Sequence, residues 1–210
     1  MSKEKRILCF GDSNTYGLIP ATGGRYDSET RWTGILTKRL QSKNYRIIEE
    51  GLCGRTTVFD DPLRFGRRGS QMLPVLLETH NPLDLVIVML GTNDCKTFYN
   101  ATAGSIASGA RQLIRQIKSG QPQAEILLIS PIYLGDDVWD GFDPEFNRNS
   151  VEVSKGLPYA FRKAAEEEQV YELAASDYAV PSEQDREHMD VQGHRALAEA
   201  VEKKLLEILE

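Results

Sequence analysis

Short segments of strand-like character alternate along this chain with longer segments whose apolar residues recur at helical spacing. Each short segment spans four to eight residues, which is the length of a strand rather than of a helix. The third, LDLVIVML, is the most apolar run and predicts a central strand buried on both faces. The five predicted strands are Arg6–Phe10, Tyr45–Glu50, Leu83–Leu90, Glu125–Ser130 and Val170–Leu173.

The longer segments carry apolar residues three or four positions apart, which is the pattern of an amphipathic helix. We expect Gly156 and Pro158 to interrupt one of these helices early, because proline cannot donate a helical hydrogen bond. Strands that alternate with helices predict an α/β fold with a parallel sheet covered on both faces. The predicted helices contain the stripe from Trp32 to Leu40, Ser70–Thr79, the stripe from Ile106 to Ile117, Asn149–Gln169 and the stripe from Leu197 to Ile208.

Composition narrows the class of protein. A chain of 210 residues fits one domain, and we expect residues 1–210 to form a single unit. Its 25 basic and 31 acidic residues leave a net charge of −6, which argues against binding to nucleic acid or to an anionic membrane. We therefore expect neither nucleic acid nor a membrane as a partner.

The cysteines and the N-terminal segment indicate a cytoplasmic location. Cys9, Cys53 and Cys95 are odd in number and show no CxxC spacing, so neither a disulfide framework nor a zinc ribbon is predicted. The apolar run before Gly11 is too short for a signal peptide, and no stretch approaches ~18 apolar residues. A cytoplasmic protein with free thiols is the expectation.

Polar motifs follow the first three predicted strands, and a fourth precedes the last helix. They are Gly-Asp-Ser at 11–13, Gly-Leu-Cys-Gly at 51–54, Gly-Thr-Asn-Asp at 91–94 and Asp-Arg-Glu-His at 185–188. Ligands of such sheets bind beyond the carboxyl ends of the strands, so we expect the four motifs on one rim.

These motifs contain what acyl transfer requires, namely a nucleophile, a base, a group that orients the base and donors for an oxyanion. Ser13 lies at a strand-to-helix turn that can expose its hydroxyl group. His188 can accept the hydroxyl proton, and Asp185 can fix the imidazole tautomer. Gly54 can offer a backbone N–H, and Asn93 can offer its side-chain amide. Each motif alone is ordinary, so the prediction depends on all four occurring in chain order.

Three other polar residues have simpler interpretations. Asp12 lies next to the predicted nucleophile, but an aspartate at a turn usually bonds to its own backbone. Asp190, two residues beyond His188, is an alternative to Asp185 as the partner of that histidine. His194 lies about two helical turns beyond His188, which favours a structural role over a shared metal.

The ordered set Ser13, Gly54, Asn93 and His188 resembles the SGNH hydrolases, also called the GDSL esterases and lipases. The longer strings EEGLCGRTT and LDLVIVMLGTND are similar to one branch, that of bacterial arylesterases and related acyltransferases. This resemblance implies a flavodoxin-like three-layer α/β/α sandwich with a five-stranded parallel sheet. The chain departs from the family pattern at Arg186, because family members often have glycine directly after the aspartate of the Asp-x-x-His motif.

The resemblance also implies a role for each residue. Ser13 would be the nucleophile, His188 the general base and Asp185 its partner. The oxyanion hole would consist of the backbone N–H groups of Ser13 and Gly54 and the side-chain amide of Asn93. No metal and no cofactor are implied.

The implied activity is that of a serine esterase that hydrolyses short-chain acyl esters, either aryl or acetyl esters, through an acyl-enzyme. Acyl transfer and perhydrolysis are further activities of the branch. One alternative is a carbohydrate acetylesterase of the xylan type, in which Tyr133, Trp139 and Phe142 could stack on a sugar ring. Another alternative, from a different class, is a non-catalytic binding module on the same fold.

The segment Tyr133–Arg148 is acidic, aromatic and rich in turn residues, and it predicts a long loop of the kind that often binds ligands. We expect it to expose several aromatic side chains that a partner could cover. Together with the assembly common in the branch, this predicts a homo-oligomer.

Overall fold

The computed structural model describes residues 4–210 and contains one five-stranded sheet. The strand order is β2-β1-β3-β4-β5, and every neighbouring pair is parallel. This is the flavodoxin-like order, whose ligand sites lie where the strand order reverses, next to β1 and β3. The strands are β1 (Lys5–Gly11), β2 (Tyr45–Gly51), β3 (Leu85–Met89), β4 (Glu125–Ser130) and β5 (Tyr171–Ala174).

Helices cover both faces of this sheet, which confirms the predicted three layers. Side chains alternate along β1, so Leu8 and Phe10 face one layer while Ile7 and Cys9 face the other. The first layer is formed by α3, α4 and α5, and the second by α2 and α6. The helices are α1 (Ser13–Tyr16), α2 (Trp32–Leu40), α3 (Gly69–Thr79), α4 (Ala103–Gly120), α5 (Arg148–Glu168) and α6 (Val191–Leu209).

The predicted interruption of α5 at Gly156–Pro158 is wrong, because the helix runs unbroken from Arg148 to Glu168. Leu157 and Phe161, on either side of the proline, are completely buried in the core. Burying each such side chain contributes about 1.5–3 kcal/mol, which together offsets the roughly 3 kcal/mol cost of a proline inside a helix.

A second proline, Pro74, stands inside α3. It has no N–H to donate to the carbonyl of Ser70, four residues earlier. The side chain of Gln116 on α4 replaces this donor, with its Nε2 atom 2.7 Å from the Ser70 oxygen. The proline is therefore tolerated because a neighbouring helix satisfies the carbonyl group that it leaves free.

The long loop at 133–148 packs more closely than its sequence suggests. Leu134, Val138 and Phe146 are buried beside α5, and the backbone N–H of Leu134 donates to Ser154 Oγ at 3.0 Å. Within this loop, which the structure describes in full, Phe142 is the one exposed aromatic residue, at 42%. The expectation of several exposed aromatic side chains is wrong, because the apolar residues between them anchor the loop. The homo-oligomer loses this support and stays a prediction.

Within residues 4–210, none of the helices combines the length and the apolar character that a membrane span requires.

Replacing Gln116 with alanine should destabilise the protein by about 1 kcal/mol, because the Ser70 carbonyl then has no donor. Urea unfolding measures this as a lower transition midpoint. The matched control is Gln112→Ala, since Gln112 is exposed on the same helix. Equal midpoints for the two variants would contradict the compensation of Pro74 by Gln116.

Candidate active site

Ser13 is the first residue of α1 and follows β1 by two positions. The turn is tight, since a Cβ atom on Gly11 would lie 2.0 Å from Thr15 Oγ1. Asp12 caps the helix, and its Oδ1 atom accepts a hydrogen bond from the backbone N–H of Asn14 at 3.0 Å. Asp12 therefore has the turn-stabilising contact that its sequence position predicts, and Ser13 stands where the strand ends.

The structure brings Ser13, His188 and Asp185 together. His188 Nε2 lies 2.8 Å from Ser13 Oγ, and His188 Nδ1 lies 2.9 Å from Asp185 Oδ2. The carboxylate thus assigns the proton of the neutral ring to Nδ1 and leaves Nε2 free to accept the hydroxyl proton. Asp190, the rival aspartate, instead caps α6 by accepting a hydrogen bond from the Gly193 N–H at 2.8 Å.

Asp185 also fixes the backbone of its own loop. Its Oδ1 atom accepts hydrogen bonds from the backbone N–H groups of Glu187 and His188, at 3.1 and 2.9 Å. One carboxylate therefore holds both the ring and the main chain of the histidine. This explains why Asp-x-x-His spacing suits the pair.

Asn14 is a second anchor of this loop, and sequence analysis did not identify it. Its Oδ1 atom accepts a hydrogen bond from the Met189 N–H at 2.9 Å, and its Nδ2 atom donates to the Glu187 carbonyl at 3.4 Å. These contacts flank His188 on both sides and join residues more than 170 positions apart in sequence. No local sequence pattern predicts a contact between residues so far apart in the chain.

Three N–H donors follow the neighbouring strands β1, β2 and β3. Gly54 has φ +83°, a left-handed conformation that glycine adopts without strain. The Ser13 and Gly54 backbone N–H groups meet no acceptor among residues 4–210. The Asn93 amide uses one hydrogen on the Arg55 carbonyl, at 3.1 Å, and keeps the other.

Two buried side chains hold the loops that carry these donors. Asp94 accepts hydrogen bonds from the Thr57 N–H, at 3.0 Å, and from the Thr57 hydroxyl, which ties the loop after β2 to the loop after β3. The guanidinium of Arg55 donates to the carbonyl groups of Gly11 and Glu50, and it lies 4.2 Å above the Phe10 ring. Neither role was predicted from the sequence, because both contacts join loops that are distant along the chain.

The pKa values of His188 and Asp185 are shifted in opposite directions by the charges around them. Burial acts to lower the pKa of His188, but the Glu187 and Asp185 carboxylates more than offset it and raise the pKa above its usual value. Burial acts to raise the pKa of Asp185, yet the hydrogen bond and charge of His188 bring it below its usual value. The shifts favour an ionised Asp185 carboxylate beside a His188 ring that readily accepts a proton.

Three other carboxyl groups near the site are buried and have raised pKa values. Burial raises the pKa of Asp12 to about 6 and that of Asp94 to about 7, despite the hydrogen bonds that each accepts. Burial also raises the pKa of Glu187, although the positive charges of His188 and Lys96 oppose the change. The rim of the sheet thus concentrates acidic groups that folding has removed from water.

The remaining candidates lie apart from this chemistry. His194 is buried, with Nδ1 3.4 Å from the Trp32 backbone N–H and its ring against Tyr26, as its structural interpretation predicts. The three cysteines are free. Among residues 4–210, no group of three His, Cys, Asp or Glu side chains is placed to hold a metal ion.

The sequence pattern of the GDSL-like lipase/acylhydrolase family matches residues 9–196. The chain belongs to this family, and it is a carboxylic ester hydrolase. A search of the curated proteins finds no match.

Solved structures agree with this assignment. The inhibitor-bound aryl esterase of M. smegmatis is similar over 98% of this chain and 100% of its own, with a TM-score of 0.91 and 32% identity. Est24, a carbohydrate acetylesterase from Sinorhizobium meliloti, is similar over the same shares, with a TM-score of 0.91 and 35% identity. Both relatives are esterases, and they differ in the esters that their names describe.

The raised pKa of Asp94 makes a testable prediction about stability. A carboxyl group whose pKa is raised by folding contributes stability at low pH that is lost as pH rises towards about 7. Asp94→Asn should therefore gain stability relative to the wild type between pH 5 and pH 7, by at most about 1.4 kcal/mol per pH unit.

Denaturant unfolding at several pH values measures this difference. The control is Asp140→Asn, at an exposed aspartate in the 133–148 loop. A stability difference for Asp94→Asn that does not change with pH would show that Asp94 is ionised throughout.

Proposed function

We propose that this enzyme hydrolyses small esters in two steps through an acyl-enzyme on Ser13. The observation that carries the proposal is the continuous hydrogen-bonded series from Ser13 Oγ through the His188 ring to Asp185. A serine hydroxyl is a weak nucleophile unless a base removes its proton during attack. The short Oγ to Nε2 distance supports this role for His188 without any rearrangement.

In the first step, Ser13 Oγ attacks the ester carbonyl carbon while its proton moves to His188 Nε2. Asp185 stabilises the resulting imidazolium and keeps the ring in place. The bond between the carbonyl carbon and the alcohol oxygen then breaks. The alcohol oxygen takes the proton from Nε2, and the acyl group remains on Ser13.

In the second step, an acceptor hydroxyl attacks the acyl-enzyme and gives its proton to Nε2. With water as acceptor the product is the free acid, and with an alcohol it is a new ester. The proton then returns from Nε2 to Ser13 Oγ, which restores the enzyme. Acyl transfer thus uses the same groups as hydrolysis and differs only in the molecule that enters.

The negative charge that develops on the carbonyl oxygen needs preorganised donors. We assign this role to the backbone N–H groups of Ser13 and Gly54 and to the free amide hydrogen of Asn93. Their support is that the two backbone donors have no other partner in the described part of the chain, residues 4–210, and that the Asp94–Thr57 hydrogen bonds fix the intervening loops. Such donors do not have to reorganise as charge develops.

The confinement of the site favours short acyl groups. Ser13 and Asn93 are each 3% exposed and His188 is 7% exposed, so the reacting atoms lie below the surface of the protein. Similarity to the M. smegmatis aryl esterase supports an aryl ester as substrate. Similarity to Est24 supports an acetylated carbohydrate as the second candidate, and release of acetate from acetylated xylan tests it.

Ser13→Ala should abolish turnover of p-nitrophenyl esters from acetyl to octanoyl, because no other hydroxyl among residues 4–210 lies against His188 Nε2. The wild type should turn over the acetyl ester fastest, and its rate should fall as the chain lengthens. Ser108→Ala, at an exposed serine on α4, is the control and should behave as the wild type. Retained activity in Ser13→Ala would refute the proposed nucleophile.

Asn93→Ala should lower kcat by about 10²–10³ with a smaller effect on KM, because the lost donor acts mainly in the transition state. Circular dichroism should show a folded protein, since the side chain makes a single hydrogen bond to the residues that the structure describes, on the Arg55 carbonyl. The matched control is Asn149→Ala, at an exposed position of α5. Full turnover by a folded Asn93→Ala variant would exclude this residue from the oxyanion hole.

A further inference from the structure

The carboxyl group of Glu187 lies inside the candidate site, and the reaction described above does not use it. Its Oε1 atom is 3.7 Å from His188 Nε2, the same nitrogen that contacts Ser13 Oγ. Glu187 is only 7% exposed. Its side chain therefore borders the hydrogen bond between nucleophile and base.

This carboxyl group has no hydrogen-bond donor in the folded chain. Among residues 4–210, no side-chain or backbone group donates a hydrogen bond to it, and the nearest nitrogen of a basic side chain is His188 Nε2, at 3.7 Å. Lys96, whose charge acts on it, places its ammonium group on Glu145 instead, at 2.6 Å. A mostly buried carboxyl group without a donor loses hydration that no hydrogen bond within the folded chain replaces.

The backbone around Glu187 is fixed by two hydrogen bonds. Its N–H donates to Asp185 Oδ1 and its carbonyl accepts from Asn14 Nδ2. The first bond lies within the loop itself and the second joins the loop to α1. Together they fix the position from which the Glu187 side chain extends, next to the reacting atoms.

The position of this carboxyl group identifies which half of an ester it meets. The carbonyl oxygen of the ester faces the Ser13, Gly54 and Asn93 donors. The alcohol oxygen must instead come within hydrogen-bond reach of His188 Nε2 to receive its proton. Glu187 borders that nitrogen, so it borders the alcohol half of the substrate.

A hydroxyl on the carbon next to the ester-bearing carbon suits this arrangement. In a staggered gauche conformation, such a hydroxyl lies beside the ester oxygen at about hydrogen-bond distance. It can then donate to the Glu187 carboxyl group while the ester oxygen approaches Nε2. Simple alkyl and aryl esters have no group that could do this.

We propose that Glu187 is a specificity-determining residue, which accepts a hydrogen bond from a hydroxyl adjacent to the ester in the alcohol half of the substrate. The preferred substrates are then monoesters of vicinal diols, the arrangement found in partly acylated sugars and polyols. This inference rests on the proposed function, because it assumes that His188 protonates the alcohol.

The test compares two acetates of equal size, 2-hydroxyethyl acetate and n-propyl acetate, which differ by a hydroxyl in place of a methyl group. The measured quantity is the ratio of their kcat/KM values. Glu187→Met removes the acceptor and should lower this ratio about tenfold. Glu187→Gln keeps an oxygen acceptor and should retain most of the preference for the hydroxyl.

The ratio separates recognition from an effect on the base. Loss of the Glu187 charge should lower the pKa of the acid limb of the kcat/KM profile through His188, but equally for both esters. The proposal is overturned if the ratio in Glu187→Met equals the wild-type ratio. It is also overturned if the Met and Gln variants each lose activity on both acetates to the same extent. The control Glu183→Met, at an exposed glutamate in the same loop, should leave the ratio at its wild-type value.

Failure of the proposed function would look different. If the wild type hydrolysed neither acetate, or if Ser13→Ala hydrolysed both, the acyl-enzyme itself would be in error. If the wild type hydrolyses both acetates through Ser13 and the ratio does not respond to Glu187, only the specificity inference is wrong.

Discussion

The hydrogen bond between Ser13 and His188 joins two loops that are 175 positions apart in sequence, and the rest of the site is arranged around it. Neither loop could hold its partner by that bond alone, since a single hydrogen bond contributes only about 1 kcal/mol net. Asn14 adds two further bonds between the same loops, and Asp185 fixes the histidine ring and backbone from the other side. The sheet supplies the remaining constraint, because it places the end of β1 between the ends of β2 and β3.

Folding concentrates acidic groups at this rim at some cost to stability. Asp12 and Asp94 are removed from water, and hydrogen bonds from backbone N–H groups replace part of the lost hydration. Those same contacts shape the turn at Ser13 and connect the loops that carry Gly54 and Asn93. The hydrogen bonds that partly compensate for the burial of these two carboxyl groups are therefore the same bonds that fix the backbone of the site.

The sequence predicts the regular parts of the molecule well. Alternation along β1 and helical stripes such as the one in α6 depend on local periodicity, and all five strands occur within a few residues of their predicted bounds. Ser13, His188 and Asp185 could be found because each belongs to a short motif. The unbroken α5, the packed loop at 133–148 and the Asn14 anchor depend on contacts between distant segments, which no local pattern encodes.

Arg186 shows how the departure from the family pattern can be accommodated. Its φ of +61° lies in the left-handed region, where a side chain other than glycine costs about 1–2 kcal/mol. The Gly135 N–H donates to the Arg186 carbonyl at 2.7 Å, and the guanidinium lies 5.8 Å from the centre of the Phe142 ring. These contacts with the 133–148 loop offset the strain that glycine would avoid.

That left-handed residue also governs the direction of its neighbour. It turns the chain so that the N–H groups of Glu187 and His188 both point at Asp185. The Glu187 side chain extends from this fixed segment, and its Oε1 atom lies 3.7 Å from His188 Nε2. The backbone conformation of the Asp-x-x-His contact thus starts the Glu187 side chain beside the histidine. If Glu187 selects the alcohol half of the substrate as proposed, its replacement changes substrate preference without altering the hydrogen bonds that join Ser13, His188 and Asp185.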